Sequence, residues 1–277
     1  MGKFSVLVLC LVICYCSAME VSSHHIEVRR ETMMLSDVPT NPDPLRIAYF
    51  MNITVGTSPL QVLIDTGSGN LAVDSVHCIG CVGSSGYQAG STATVYTCQN
   101  AQDCSCTEQC SCSHNTQSYD NSVCEFGVNY VDGSGWQAVK VNDYVTLANY
   151  YSAWNTFGSI QSETGMSTYY SNNDGTIGFA YGDSLSVTGN CWFEDYVEQS
   201  GSDAIFSVCM GLRKGWLTIG EIDEKLANGN IYYTPFAETG FYSINLETID
   251  VISYTNTTQM QKDTIQVYRS PTDNIGP

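Results

Sequence analysis

Basic residues are the scarcest group in this sequence. The 277 residues include only 10 Lys or Arg against 28 Asp or Glu, so the formal net charge is −18 at pH 7 and the pI is near 4.2. Nucleic acid and anionic membrane surfaces repel such a chain, and no basic patch in the sequence offsets the repulsion. The charge therefore argues against both as partners.

Long apolar runs are missing from all but the first residues. Residues 4–15 are mostly apolar and are followed by small residues at 16–18, as in a signal peptide and its cleavage site. The run is shorter than the roughly 18 residues of a membrane helix, and no later run reaches that length. We predict a signal peptide at residues 1–18, no membrane span after it, and N-glycosylation at Asn52 and Asn256. A buried amino-terminal helix is the alternative.

The excess of acidic residues bears on the working pH. Most carboxylates become neutral as the pH falls towards about 4, and the self-repulsion of the chain then disappears. We therefore expect a secretory-pathway protein of the extracellular space or of an acidic vacuolar or lysosomal compartment. Simple solubility is the competing explanation of the charge.

Cysteine is common, and secretion would oxidise it. Three of the 13 cysteines lie in the predicted signal peptide, which leaves an even set of ten: Cys78, Cys81, Cys98, Cys104, Cys106, Cys110, Cys112, Cys124, Cys191 and Cys209. An oxidising compartment predicts that all ten form disulfides, with Cys191 and Cys209 outside the local cluster and the connectivity open. Zinc binding, with His77 and His114 beside the cysteines, is the alternative.

The remainder of the chain has the composition of a mainly β protein, with 24 Gly and 18 Tyr. Alternation from residue 47, a turn at 57–59 and a second apolar stretch at 61–64 predict a hairpin. The hairpin runs into DTGSGN at residues 65–70, where glycines allow a tight turn at the strand end.

Three segments differ from this strand-and-turn pattern. Residues 19–45 combine basic residues and prolines with little periodicity, which predicts a pro-segment or extended arm. Residues 78–124 are rich in cysteine and lack apolar periodicity, so we predict a disulfide-stapled surface excursion. Helix is predicted only at residues 191–198 and as a short turn at 223–226.

The DTG triplet carries the chemistry. An aspartate at a strand end can accept several hydrogen bonds, hold a water molecule and act as a base, although an isolated triplet is more often a simple turn. The longer stretch VLIDTGSGNLAV at residues 62–73 resembles the first catalytic loop of the pepsin-like aspartic proteases. The resemblance implies that Asp65 is a catalytic aspartate, that Thr66 and Gly67 support it, and that Ser68 hydrogen-bonds its outer oxygen.

Two later stretches resemble the same family. NYVDGSG at residues 129–135 is similar to the family's flap, which implies that Tyr130 closes over the substrate, with the tip formed by Asp132, Gly133 and Ser134. An exposed β-turn is the alternative. DGTIGFAY at residues 174–181 is similar to the strand beside the catalytic loop, where Gly178 permits close backbone approach.

Further matches follow in family order, and two departures stand out. Residues 206–209, 215–223 and 232–236 resemble strands that lead into the second lobe. Gly69 replaces a usual serine, and Ala72 stands where many members have tryptophan. Alanine at that position is similar to the β-secretase-like branch.

The resemblance implies a bilobal, mainly β fold. We expect a complete amino-terminal lobe at residues 46–205, with the insertion at 78–124, and only part of a second lobe at 206–277. It also implies an endopeptidase zymogen that hydrolyses extended polypeptides at acidic pH through an aspartate-activated water. No metal and no organic cofactor are expected.

The second catalytic aspartate is not found in the sequence. This chemistry needs two carboxyl groups that share a proton, and the family order places the second near residues 263–275. Asp263 and Asp273 there lack the glycine that completes the motif. We therefore expect an incomplete chain with little activity of its own. A non-catalytic peptide- or protein-binding member and a Cys-rich adhesion module are the alternatives.

Overall fold

The computed structural model describes residues 25–33, 46–81, 83, 85–97, 111–112, 123–130, 133–165, 173–180, 189–210, 214–226, 230–237, 241–246, 248–256 and 259–266. Several predicted features lie outside these ranges. They are the signal peptide, the flap residue Asp132, Asp273 and the larger part of residues 98–122.

Strands dominate the described residues, and the mainly β prediction is confirmed. Their bounds are β1 His25–Met33, β2 Arg46–Val55, β3 Ser58–Asp65, β4 Leu71–Ile79, β5 Thr94–Val95, β6 Ser111–Cys112, β7 Cys124–Asn129, β8 Gly135–Leu147, β9 Tyr151–Thr164, β10 Gly175–Gly178, β11 Phe206–Met210, β12 Lys214–Ile219, β13 Thr248–Asn256 and β14 Gln259–Gln266. The helix α1 spans Trp192–Ser200, and a 3-10 turn spans Glu224–Leu226, which confirms both helical predictions. Neither helical segment of the described chain has the length and apolar content to cross a membrane.

Twelve strands form one sheet in the order β11-β12-β1-β2-β3-β10-β4-β9-β8-β7-β6, with β5 against β8. β13 and β14 form a separate antiparallel hairpin. The division into lobes stays a prediction, and its boundary at residue 206 falls inside the sheet because β11 and β12 join it through β1.

The predicted hairpin is confirmed as β2 and β3, which turn at Gly56. Gly56 has a φ of 58°, in the region that glycine adopts at little cost. Along β3, Leu60 and Val62 are buried at alternate positions, because side chains of a strand point to opposite faces. The buried face of the hairpin joins the larger apolar core of the described residues.

Strand β1 lies within residues 19–45, where the sequence shows little periodicity and no strand was predicted. β1 pairs with both β2 and β12, so it is an interior strand of the sheet. Ile26 and Val28 are buried while Glu27 is exposed, which is the alternation of a strand. The alternating stretch is too short to be recognised from the sequence. The pro-segment itself stays a prediction.

Part of the Cys-rich insertion also belongs to the core, contrary to the predicted surface excursion. The side chain of Tyr87 is 2% exposed and packs edge-on against Phe157 at 5.2 Å between ring centroids. Its hydroxyl donates to Asp143 at 2.9 Å, and Thr92 donates to the same carboxylate at 2.8 Å. A single buried aromatic carries no periodic signal, so sequence patterns could not reveal it.

Candidate active site

The Asp65 loop connects β3 to β4, and β10 lies between these two strands and pairs with both. β10 runs parallel to β3, with Gly178 opposite Asp65, and antiparallel to β4. Backbone N–H groups of Phe179 and Ala180 donate to the carbonyl oxygens of Asp65 and Ser68 at 2.7 and 2.9 Å. The loop is therefore fixed through its main chain, independently of its side chains.

Gly178 lies where a side chain has no room. A Cβ at this position would overlap the Ser68 carbonyl oxygen and lie 2.6 Å from the Asn70 nitrogen. Both neighbours are backbone atoms, which cannot move aside as a flexible side chain can. Close approach between β10 and the loop therefore requires glycine.

The Asp65 carboxylate is half-buried and oriented by two donors. The Gly67 N–H donates to Oδ1 at 2.8 Å, and the Ser68 hydroxyl donates to Oδ2 at 2.6 Å. Thr66, which follows Asp65 in the chain, is half-buried. Each carboxylate oxygen has two lone pairs, so acceptor capacity remains for a water molecule or a substrate group.

The predicted flap sequence connects β7 to β8, which pair antiparallel. The Tyr130 N–H donates to the Ser134 carbonyl at 2.8 Å, and the Gly133 N–H donates to the Tyr130 carbonyl at 3.0 Å. Gly133 has a φ of 84°, while Ser134 is only 3% exposed. Backbone hydrogen bonds thus link Tyr130 to Gly133 and Ser134, and the serine is buried.

Sequence reasoning missed Trp136, which contacts the predicted flap residue Tyr130. Its indole N–H donates to the Tyr130 hydroxyl at 3.2 Å. The Trp136 ring is buried in a small cluster with Phe126 and Ala72, and Tyr130 packs against this cluster. The small side chain of Ala72, noted above as a departure, lies in the same cluster as the indole. A tryptophan six residues after the tyrosine is the only sequence signal for the contact.

A second carboxyl group lies on the strand that leaves the loop, and it was also missed. Asp74 of β4 is 1% exposed, and neither of its oxygens has a hydrogen bond of standard geometry. Burial, followed by repulsion from Glu163 and Asp174, raises the pKa of Asp74 to about 8. Burial likewise raises the pKa of Glu163 to about 7.

The cysteines near Asp74 are bonded to each other. Cys78 and Cys81 form a disulfide, with their Cα atoms 5.7 Å apart. Their sulfurs and an Asp74 oxygen lie within 4.8 Å of one another. Disulfide sulfurs are not the thiolates that zinc binds, so the zinc alternative is contradicted at this pair.

The remaining described cysteines agree with the oxidation prediction at one position and contradict it at two. Cys124 is disulfide-bonded, as predicted. Cys191 and Cys209 are buried thiols, so the prediction that all ten cysteines are oxidised was wrong for these two. Burial raises the pKa of Cys191 to about 12, which keeps it protonated and unreactive.

Of the two predicted glycosylation sites, Asn52 is exposed on β2, so its amide is accessible to modification. Asn256 ends β13 beside an irregular register, and its side chain lies outside the description. Glycosylation at either position stays a prediction.

Comparison with known proteins identifies the family. The family model of eukaryotic aspartyl proteases matches residues 48–268. Gastricsin of Cavia porcellus is 31% identical over 208 residues, which cover 72% of this chain and 47% of that protein. Gastricsin of Macaca fuscata fuscata is 30% identical over 72% of this chain and 49% of its own. Pepsin A of Suncus murinus is 29% identical over 73% of this chain and 48% of its own.

The chain spans about half the length of the curated relatives that it matches. The family match nevertheless covers well over half of the chain and includes the Asp65 loop, the hairpin of β7 and β8, and β10. The chain therefore belongs to the eukaryotic aspartyl protease family.

Proposed function

We propose that this chain provides one catalytic aspartate, Asp65, and the flap of a secreted aspartic endopeptidase that works at acidic pH. The observation that carries the proposal is the Asp65 carboxylate, oriented by Gly67 and Ser68 at the end of β3. A carboxylate held in this way can take a proton from a bound water molecule, which then attacks a peptide carbonyl.

The reaction also needs a second, protonated carboxyl group to polarise the scissile carbonyl. Asp263 is a poor source of it, because this residue lies within β14 opposite Val251 rather than in a loop at a strand end. The sequence has one Asp-Thr-Gly and no Asp-Ser-Gly triplet. The partner carboxyl is therefore expected from outside the described residues, either in a longer product or in a second chain.

The flap supports an extended polypeptide as the substrate. Tyr130 carries a hydroxyl that is already fixed by Trp136, so its ring is positioned before a substrate arrives. Ordering a contact residue in advance lowers the entropic cost of binding. The acidic composition, with a pI near 4.2, fits an acidic compartment of the secretory pathway.

A non-catalytic peptide-binding protein is the second candidate, and the single Asp-Thr-Gly triplet favours it. The test compares the purified chain with the longest natural product that contains it, on a denatured protein near pH 4. We expect cleavage by the longer product, little by this chain, and loss of cleavage with Asp65→Asn. Peptide binding by both products without cleavage by either would favour the second candidate.

A further inference from the structure

The Asp74 side chain is buried without a partner that suits a charge. Its carboxyl group is 1% exposed, and both oxygens lack a hydrogen bond of standard geometry. A buried carboxylate without donors is costly, so such a group binds a proton or shares one with a neighbour. The candidate active site does not use this group.

Glu163 of β9 is the neighbour within reach of Asp74. The two carboxyl groups lie close enough to hydrogen-bond, and this contact shifts the pKa of each. β4 and β9 pair in parallel at Asp74 and Ile160, but the register becomes irregular before Ile79 pairs with Ser162. The side-chain contact therefore joins the two strands where their main-chain pairing is interrupted.

Among the described residues, the charged groups that act on Asp74 are all carboxyl groups. Asp174, in the segment before β10, repels a charge on Asp74 and itself accepts N–H donors from Gln61 at 2.8 Å and Ser85 at 2.9 Å. Within the part of the chain that the structure describes, the Gly83 N–H is the donor that stabilises the charged form. The adjacent Cys78–Cys81 disulfide has no proton to titrate.

Glu163 also connects this pair to the flap. In the register of β8 and β9 it lies opposite Trp136, the residue that donates to the Tyr130 hydroxyl. Asp74 lies on the strand that leaves the Asp65 loop. A contact between the two carboxyl groups thus connects β4, the strand after the Asp65 loop, to the base of the predicted flap.

We propose that Asp74 and Glu163 share a proton, and that this pair positions the base of the flap on the strand after the Asp65 loop. The meaning for catalysis rests on the proposed function, but the shared proton does not. A carboxyl–carboxylate pair needs one proton to replace repulsion by a hydrogen bond.

The sign of the pH dependence follows from the raised pKa values. A carboxyl group that holds its proton more tightly when folded stabilises the fold fully below its unfolded pKa, near 4. That stabilisation is lost as the pH rises through about 7 to about 8, the pKa values in the folded state. The base of the predicted flap should therefore open rarely at acidic pH and more often at neutral to mildly alkaline pH.

Two measurements on the full chain test the proposal without reference to activity. Infrared difference spectra near pH 6 should show a protonated carboxyl band in the wild type that is absent from Asp74→Asn. Hydrogen exchange, corrected for the intrinsic pH effect, should show β8 and β9 opening at least about tenfold more at pH 8 than at pH 5, as one pKa unit predicts. This increase should shrink in Asp74→Asn and in Glu163→Gln.

Two controls keep the test decisive. Glu163 is only half-buried, so Glu163→Gln reports on the pair even if Asp74→Asn fails to fold. Glu198→Gln, at an exposed carboxylate on α1, should leave both the band and the exchange unchanged. A band that persists in Glu163→Gln with unaltered exchange would overturn the proposal. So would protection at pH 8 that appears only on adding Ca²⁺ or Zn²⁺, because the pair would then bind a cation instead of a proton.

Discussion

Asp65 and Asp74 lie before and after one loop, yet their surroundings differ in every respect that decides carboxyl chemistry. Asp65 is half-buried, and a backbone N–H and a hydroxyl orient it. Asp74 is fully buried among other carboxyl groups without a well-formed donor. The same residue type thus keeps free acceptor capacity at one position and is expected to retain a proton at the other.

A third aspartate sharpens this comparison. Asp143 is as buried as Asp74, but it accepts hydrogen bonds from Tyr87, Thr92 and the Tyr144 N–H. Donors, rather than burial alone, therefore separate the two buried aspartates. Removing a donor or the carboxylate itself tests each environment.

The largest effect is expected for Asp65→Asn in the longest natural product that contains this chain. The amide cannot accept a proton from water, so kcat/KM should fall by several orders of magnitude, as for other catalytic groups. The urea midpoint should stay close to that of the wild type, because β10 holds the loop through its backbone. Near-normal activity would show that the loop is scaffold without catalysis.

Replacing Tyr130, the predicted flap tyrosine, should lower the activity less. Tyr130→Ala removes a positioned ring but no reacting group, so we expect kcat/KM on a peptide to fall about 10- to 1000-fold. Trp136→Phe keeps an aromatic ring in the cluster and removes only the donor to Tyr130, so its loss should be smaller. Equal losses in the two variants would mean that Tyr130 acts only when the hydrogen bond from Trp136 positions it, and no loss in Trp136→Phe would mean that Tyr130 acts only through packing.

Gly178→Ala tests whether the backbone approach holds the loop. The added methyl group would overlap Ser68, and we expect a destabilisation of about 2–3 kcal/mol in urea unfolding. Gly90→Ala is the matched control, since a Cβ there meets nothing within 4 Å. Similar midpoints for the two variants would contradict the steric account of β10.

The smallest effect concerns the satisfied buried aspartate. Tyr87→Phe removes one of three donors to Asp143 and should destabilise the fold by about 1.5–3 kcal/mol, as for a hydrogen bond to a charged group. Tyr96→Phe is the control, because its hydroxyl lies 3.5 Å from Thr156 in a half-buried contact. If both variants unfolded at the same denaturant concentration, the hydrogen bond from Tyr87 to Asp143 would not contribute measurably to the stability of the fold.

Local patterns in the sequence were enough to predict several elements. The hairpin of β2 and β3 follows from the alternation and the turn predicted at 57–59, and α1 overlaps the helix predicted at 191–198. The position of Asp65 at a strand end follows from the same alternation. Each of these depends on neighbours in the chain, so a sequence window contains the necessary information.

Tertiary structure alone decided the rest. Asp74 and Glu163 meet because β4 and β9 are neighbours in the sheet, and Tyr87 enters the core because the insertion folds back on β8 and β9. The place of β1 between β2 and β12 likewise depends on strands far apart in sequence. Burial and proton affinity depend on which groups long-range packing brings together, and no local pattern in the sequence specifies those groups.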